Sequence, residues 1–287
     1  MEAYSRAFDF VEVNSTFYEI PDMRMVESWR RRVPPDFDFA VRCHRDLSHK
    51  YKLKPVDEAY EIFSKMKGIC KALRTNLLHL QTPPSMKLNR SKIESIDSLF
   101  SSINLEGIRI AWEIRNVKKP LDQNIIKHMR DHDMIHCVDL SKDEEPAFQS
   151  DILYSRLFGK GKHNVYQPTD EELRKIHRKA SKGNPKTAVL SFHFAKMYKD
   201  AARLKVYKET GNFPKVTKST GLSSLEEVLK EDARFPSRKQ ELITHQGWKL
   251  IDLTAEKRVH VSDLLHKLPA KTYNSVAEVI QALKSTI

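Results

Sequence analysis

Residues 57–81 read DEAYEIFSKMKGICKALRTNLLHLQ and contain one helix followed by one strand of the predicted fold. Residues 57–73 place apolar side chains three and four positions apart, which is the spacing of an amphipathic helix. Residues 76–81 form a short apolar run that is typical of a buried strand. A repeated unit of this kind predicts a mostly parallel sheet with helices packed outside it.

The same alternation continues in both directions along the chain. Short β-branched or aromatic runs predict strands at 8–13, 37–42, 76–81, 108–114, 134–140, 152–157 and 187–193. Helical spacing lies between them, at 22–31, 57–73, 91–102, 121–132, 169–181 and 195–208. A TIM-barrel-like (β/α) barrel has eight strands. The pattern therefore leaves three readings: an open barrel, a barrel without its first strand, or a gap filled by a later segment.

The composition changes near residue 209, which divides the chain into three predicted parts. Residues 1–209 carry the barrel pattern, and residues 210–236 look like a linker or excursion because Gly, Pro, Ser and Thr surround one short helix. Residues 237–287 are predicted to form a small, mainly helical C-terminal module. Its predicted elements are a helix at 237–246, a strand-like run at 248–253, and helices near 259–267 and 275–284.

Composition excludes several classes of protein. A chain with 40% hydrophobic and 31% charged residues can bury a core, and three cysteines are too few for a disulfide scaffold. No long apolar run or basic-then-apolar leader is present, so the sequence predicts a cytoplasmic protein with no membrane partner. The formal net charge of +12 favours anionic partners.

Polar side chains mark the carboxyl ends of the predicted strands, where a parallel barrel carries its functional groups. These residues are Glu12, Asn14, Arg42, His44, His49, Gln81, Glu113, Arg115, Asp139, Arg156 and His193. Strand alternation places Glu113 with Arg115, and Glu12 with Asn14, on the same side. Polar groups inside a barrel are costly unless paired, so the set indicates a site, although a buried Glu–Arg pair can also be purely structural.

Several segments resemble the YecE-like family, the domain of unknown function numbered 72. The matching segments, in chain order, are VEVNSTFYEIP (11–21), FDFAVRCHRDLSHK (37–50), LLHLQTPPSM (77–86), IAWEIRN (110–116), VDL (138–140), ILYSRLFG (152–159) and YQPTDEELRKI (166–176). The resemblance covers residues 4–205 and implies a TIM-barrel-like fold. Family members begin with a strand before the segment aligned with Tyr4, so the resemblance selects the barrel that lacks its first strand.

The family has no settled activity, so the resemblance implies only the location of a site on one barrel face. This chain also departs from the family pattern. Phe158 and Asn116 stand where the family has histidines, and Arg42 stands where it has a lysine. His193 and Phe194 replace a pair of asparagines.

The sequence contains no glycine-rich nucleotide loop, zinc-type CxxC spacing or GxSxG motif. Three possible functions therefore remain. The first is hydrolysis of a phosphoester or nucleic acid with Mg²⁺ or Mn²⁺. Its catalytic residues would be Glu12, Glu113 and Asp139, and its substrate-binding residues Asn14, Arg42, Gln81, Arg115, Arg156 and His193. The second is non-catalytic binding of nucleic acid or a phosphorylated ligand. The third is an isomerase or lyase for a sugar-like molecule, by fold analogy.

Overall fold

A computed structural model describes residues 1–115 and 120–285 of the chain. Alternating strands and helices begin with helix α1 (Glu2–Ser5) and strand β1 (Phe10–Val13). The elements that follow to residue 157 are α2 (Met23–Arg31), β2 (Asp38–Arg42), α3 (Asp57–Leu73), β3 (Leu77–Thr82), α4 (Arg90–Ser101), β4 (Arg109–Ile114), α5 (Gln123–Asp131), β5 (Ile135–Cys137) and β6 (Ile152–Leu157). The predicted α/β class is confirmed by this alternation.

Strands β1 to β5 form one parallel sheet in sequence order. A parallel bridge between Val138 and Ser155 follows β5 and leads to β6. Strand β6 pairs with β7 (Thr187–Phe192). Every residue of β3 is buried, as expected for a strand covered on both faces.

Two layers of apolar side chains enclose the parallel sheet. The outer layer packs helices α2 to α5 against the strands, with Phe63, Met66 and Leu99 among its buried members. A second cluster takes side chains from strands β1 to β7 in turn: Phe10, Ala40, Leu77, Ala111, Ile135, Cys137, Ile152, Tyr154 and Val189. Side chains of seven consecutive strands therefore share one cluster.

Local sequence signals place the helix starts. Asp22 caps α2 by accepting a hydrogen bond from the Arg24 amide at 2.8 Å, as the Pro21–Asp22 pair predicts. Helix α6 (Asp170–Ala180) begins with a capping box, in which the Thr169 and Glu172 side chains each accept the other's amide. These caps fix the point at which the chain leaves a loop and enters the helix.

The chain beyond β7 has its own elements and its own apolar core. They are α7 (Met197–Thr210), α8 (Gly221–Asp232), β8 (Ser237–Arg238), α9 (Lys239–Gln246), β9 (Leu250–Asp252), β10 (Arg258–His260), α10 (Val261–Leu265), β11 (Thr272–Tyr273) and α11 (Val276–Lys284). Leu225 and Leu229 of α8 pack in the same cluster as Leu242, Leu265 and Tyr273. The segment predicted as a linker or excursion thus contributes a helix to the C-terminal core.

The C-terminal residues 237–287 are mainly helical, and they also contain two short antiparallel strand pairs. Strand β9 pairs antiparallel with β10, and β8 pairs antiparallel with β11. Strand β9 lies within the strand-like run predicted at 248–253, whereas β8, β10 and β11 are too short for a sequence pattern to resolve. By contacts the chain forms two compact units, one of residues 1–140, 144–156 and 180–191, and one of residues 141–143, 157–179 and 192–287. The domain boundaries at 209 and 236 stay a prediction.

No helix among residues 1–115 and 120–285 has both the length and the apolar character needed to cross a membrane. The three cysteines, Cys43, Cys70 and Cys137, are buried and free.

Candidate functional site

The parallel register brings polar side chains from neighbouring strands to one level of the sheet. Gln81 of β3 lies beside Glu113 of β4, and Arg42 of β2 lies beside His79 of β3. In parallel strands, residues at the same level point to the same face. The loop and strand ends therefore converge on one polar cluster within the first compact unit.

Arg156 of β6 joins the two glutamates at the centre of this cluster. Its Nη1 donates to Glu113 Oε2 at 2.7 Å, and its Nη2 lies 3.0 Å from Glu12 Oε1. The side chains of Arg156 and Glu12 are 2% and 1% exposed, so the pair is almost completely removed from water. Two carboxylates together raise the pKa of the Arg156 guanidinium, which stays charged.

The Glu113 carboxylate contacts four side chains of the cluster, Arg156 among them. Its Oε1 accepts from Gln81 Nε2 at 2.9 Å and from Arg115 Nε at 2.7 Å, while its Oε2 lies 3.1 Å from His79 Nε2. Burial opposes ionisation, but the hydrogen bond from His79 and the charges of Arg156 and Arg115 hold the pKa of Glu113 well below its usual range. Glu113 is therefore a carboxylate at neutral pH.

Arg42 is held by neutral partners. It donates to Asn14 Oδ1 at 3.2 Å and to Gln81 Oε1, and its guanidinium lies 3.8 Å from the centre of the Phe17 ring. Its Nε is buried without a hydrogen-bond partner within residues 1–115 and 120–285. Burial and the nearby charge of Arg156 lower the pKa of Arg42. The group is thus an oriented cation whose hydrogen bonds go to amides.

Two members of the cluster were missed by sequence reasoning. The ring of His79 stacks on Tyr154 with 5.8 Å between centroids, and the Tyr154 hydroxyl donates to Glu12 Oε2 at 2.8 Å. Each precedes a predicted site residue by two positions, His79 before Gln81 and Tyr154 before Arg156. Strand alternation puts such pairs on one face, and this signal could have found both.

The remaining predicted site residues have different surroundings. Asp139 is buried just after β5, and its amide donates to Glu144 Oε2 at 2.9 Å. His193 belongs to the second compact unit, where its ring stacks on Phe158 at 4.7 Å, so its predicted role in ligand binding stays a prediction. Asn116 lies outside the described residues.

A metal ion has one candidate place inside the cluster. Ligand atoms of His79, Glu113 and Cys137 lie within 4.8 Å of one another. Burial and the carboxylate of Glu113 raise the pKa of the Cys137 thiol, so the sulfur is protonated at neutral pH. A metal would have to displace that proton and compete with Arg156 for Glu113 Oε2.

The fold and the cluster define a parallel α/β protein with a buried arginine–carboxylate site. The chain belongs to the DUF72 family, described as a protein family of unknown function, whose model matches residues 1–209. The predicted resemblance to the YecE-like family is thereby confirmed.

Curated relatives and solved structures agree with this family. UPF0759 protein YunF of Bacillus subtilis (strain 168) is 26% identical over 146 residues, which cover 48% of this chain and 51% of that protein. UPF0759 protein YecE of Escherichia coli (strain K12) is 34% identical over 58 residues, which cover 20% of this chain and 21% of that protein. The match to the longer-aligned relative thus spans about half its length.

Two crystal structures of DUF72 family proteins have a similar fold. The protein from Enterococcus faecalis V583 has a TM-score of 0.56 and 15% identity, and the match covers 73% of this chain and 92% of that chain. The protein from Thermotoga maritima MSB8 has a TM-score of 0.55 and 20% identity, with coverage of 70% and 85%. At such identities the likeness concerns the fold alone.

Proposed function

We propose that the polar cluster binds a phosphate-bearing ligand, with Arg42 and Arg115 as the contacting cations. The proposal is based on the orientation of Arg42, whose guanidinium donates hydrogen bonds to the neutral side chains of Asn14 and Gln81. A guanidinium held in this way presents a planar fork that matches the oxygens of a phosphate. Burial disfavours the positive charge of Arg42, and a bound anion would neutralise that charge.

The charge balance of the cluster supports the same ligand. Glu12 and Glu113 supply two negative charges, and both contact Arg156. Arg42 and Arg115 add further positive charge, while burial lowers the pKa of His79 and keeps its ring neutral. The Arg115 side chain is 40% exposed, so a ligand can reach it from solvent. The local field therefore favours anions.

A second observation favours phosphoester hydrolysis as the alternative. The trio of His79, Glu113 and Cys137 offers three ligand atoms, and its imidazole and thiol suit Zn²⁺ better than the Mg²⁺ or Mn²⁺ expected from the sequence. Arg156 already donates to the shared Glu113 oxygen, which opposes a second cation there. For this reason we propose binding ahead of hydrolysis.

The experiment is a calorimetric titration of the full chain with three probes: inorganic pyrophosphate, a single-stranded DNA and a single-stranded RNA. We expect saturable binding of at least one probe, and Arg42→Gln should weaken it about tenfold or more, since a hydrogen bond to a charged group contributes about 1.5–3 kcal/mol. Arg24→Gln, an exposed arginine on α2, is the matched control and should leave affinity unchanged. Equal affinity of wild type and Arg42→Gln would contradict the proposal.

The same titration separates a small phosphate ligand from a nucleic acid. Affinity for DNA or RNA should fall steeply between two salt concentrations, because each neutralised phosphate releases counterions. If the protein binds pyrophosphate but neither nucleic acid, the ligand is a small phosphorylated molecule. Turnover of bis(p-nitrophenyl) phosphate with Mg²⁺, Mn²⁺ or Zn²⁺ would instead establish the hydrolase.

We also propose that the seven strands close into a barrel. Val189 of β7, Tyr154 of β6 and Phe10 of β1 share one cluster, which an open sheet of seven consecutive strands would keep apart. The hydrogen bond from Tyr154 to Glu12 of β1 supports this arrangement. A cytoplasmic location stays a prediction, and the free state of the three cysteines agrees with it.

A further inference from the structure

A second group of ligand-type side chains lies between helices α4 and α5, on the outer side of the sheet. It consists of Asp97 on α4 and two histidines of the α5 region, His128 and His132. Asp97 Oδ1 lies 2.9 Å from His128 Nδ1 and 2.8 Å from His132 Nε2. One carboxylate oxygen thus has two imidazole nitrogens at hydrogen-bond distance.

The spacing of the histidines explains how they meet. His128 and His132 are four positions apart, so one helical turn brings their rings to 4.6 Å between centroids. Two histidines at this spacing on one helix face are a known arrangement for binding zinc. Asp97 approaches the same point from the neighbouring helix and adds an oxygen ligand.

We propose that Asp97, His128 and His132 bind a divalent first-row transition metal ion, of which Zn²⁺ fits best. Their ligand atoms lie within 4.8 Å of one another. Bonds of about 2.0–2.1 Å place the ligand atoms of a tetrahedral zinc about 3.3 Å apart. The Asp97 oxygen needs to move only a few tenths of an ångström from each nitrogen, which now lie 2.9 and 2.8 Å away, and water supplies the fourth ligand.

The surroundings hold the ligands and leave a route for the ion. The side chains of His128 and His132 are 3% and 14% exposed, whereas that of Asp97 is 52% exposed and opens the site to solvent. The ring of His128 also packs against Trp112 and Phe100, which fixes its orientation. The ligands are therefore held in place before the ion arrives, which lowers the entropic cost of binding.

The protonation states suit a metal. The hydrogen bonds from His132 and His128 lower the pKa of Asp97, so it is a carboxylate. Burial lowers the pKa of His128, so its ring is neutral and carries a single proton, which Nδ1 donates to Asp97. His128 Nε2 is buried without a hydrogen-bond partner in the described parts of the chain. Coordination through Nδ1 requires this proton to move from Nδ1 to Nε2, which leaves the ring neutral.

A bound metal ion would link α4 to the end of α5 and stabilise the folded state. A ligand that binds only the folded state stabilises it in proportion to its concentration over its dissociation constant. Zn²⁺ added to the metal-free full chain should therefore raise the melting temperature. It should not require any ligand in the arginine–carboxylate cluster.

The test is a titration of the metal-free full chain with CoCl₂, followed by its visible absorption, and then with ZnCl₂ by calorimetry. We expect one equivalent of Co²⁺ with the intense bands of a four-coordinate ion, displaced by Zn²⁺. Asp97→Asn keeps the size of the side chain at a half-exposed position, and His132→Ala removes one nitrogen. Each should weaken Zn²⁺ binding by more than about tenfold, given that even loss of an indirect partner costs 10–100-fold.

His245→Ala serves as the matched control, because this histidine is exposed on α9 and lies outside the trio. It should bind Zn²⁺ as wild type does. Far-ultraviolet circular dichroism of each variant establishes that it is folded. The proposal would be overturned if the wild-type protein did not bind Zn²⁺ stoichiometrically, or if folded Asp97→Asn bound Zn²⁺ with wild-type affinity. The trio would then be only a hydrogen-bonded contact between two helices.

Discussion

The guanidinium of Arg156 donates to Glu113 across 2.7 Å, although 43 positions separate the two residues in the chain. Their side chains are only 2% and 12% exposed. The contact ties β6 to β4 through side chains, without the two strands being neighbours in the sheet. Because Arg156 also contacts Glu12 of β1, one side chain links three strands and sets the geometry in which Arg42 and Arg115 are presented.

Removing the charge of Glu113 should destabilise the protein. Glu113→Gln leaves the buried Arg156 with one carboxylate, and breaking a buried ion pair costs about 3–5 kcal/mol. We expect a loss of about 3 kcal/mol in the free energy of unfolding by urea denaturation. Glu94→Gln, at an exposed ion pair with Arg90, is the control and should show no measurable change. Identical urea midpoints for the two variants would contradict the structural role of Glu113.

Stability should decline as the pH falls below 6.5. Burial and the charge of Arg156 lower the pKa of His79, so the folded state keeps the ring neutral while the unfolded chain takes up a proton near pH 6.5. The contribution is thus fully present above pH 6.5 and is lost as the pH falls through the folded pKa. Unfolding free energies from pH 7.5 to 5.5 should fall by up to about 1.4 kcal/mol per pH unit for this group. His79→Gln should reduce that slope, whereas His245→Gln should not.

Asp200 in α7 has the opposite dependence. Burial raises its pKa to about 6, against an unfolded value of 3.8. Its contribution is fully present below pH 3.8 and is lost as the pH rises through 6. Asp200→Asn removes the cost of burying a charge, which the wild type bears at pH 8 but not at pH 5. The melting temperature of the variant minus that of the wild type should therefore be higher at pH 8 than at pH 5. A difference that is the same at both pH values would show that Asp200 titrates normally.

Asp252 should be essential for the C-terminal core. Its carboxylate is fully buried and accepts from the amides of Val216 and Thr217 at 3.0 and 2.8 Å, and from Arg258. Asp252→Asn turns an N–H group toward one of these donors and removes the charge that Arg258 contacts, so we expect a loss of about 3 kcal/mol. Asp263→Asn on α10 is exposed and provides the control. Thermal denaturation of both variants checks the prediction, which is wrong if their melting temperatures are equal.

Much of the parallel sheet could be predicted because its strands are short, apolar and buried. Strands β1 to β7 all lie within the predicted segments or extend one residue beyond them, as β3 does at Thr82. The pairing of β9 with β10 could not be predicted, since three residues carry too little alternation. Antiparallel pairing at β8 and β11 involves two residues each and leaves no pattern at all.

Part of the candidate site could also be predicted. Strand alternation correctly put Glu113 and Arg115 together, because it depends only on position along one strand. The same alternation relates His79 to Gln81, but His79 lies inside an apolar run and resembles a core residue, so it was not selected. The link from Tyr154 to Glu12 depends on how distant strands curve toward each other, and local sequence does not encode that distance.

The position of Arg156 between Glu12 and Glu113 has a consequence for how the sequence can diverge. A change of either glutamate alone leaves a buried charge imbalance, and a change of the arginine alone leaves two carboxylates facing each other. Intermediates that carry one such change are therefore selected against on stability, whatever the site binds. Across the family we expect these three positions to be inherited as a set, kept together or replaced together.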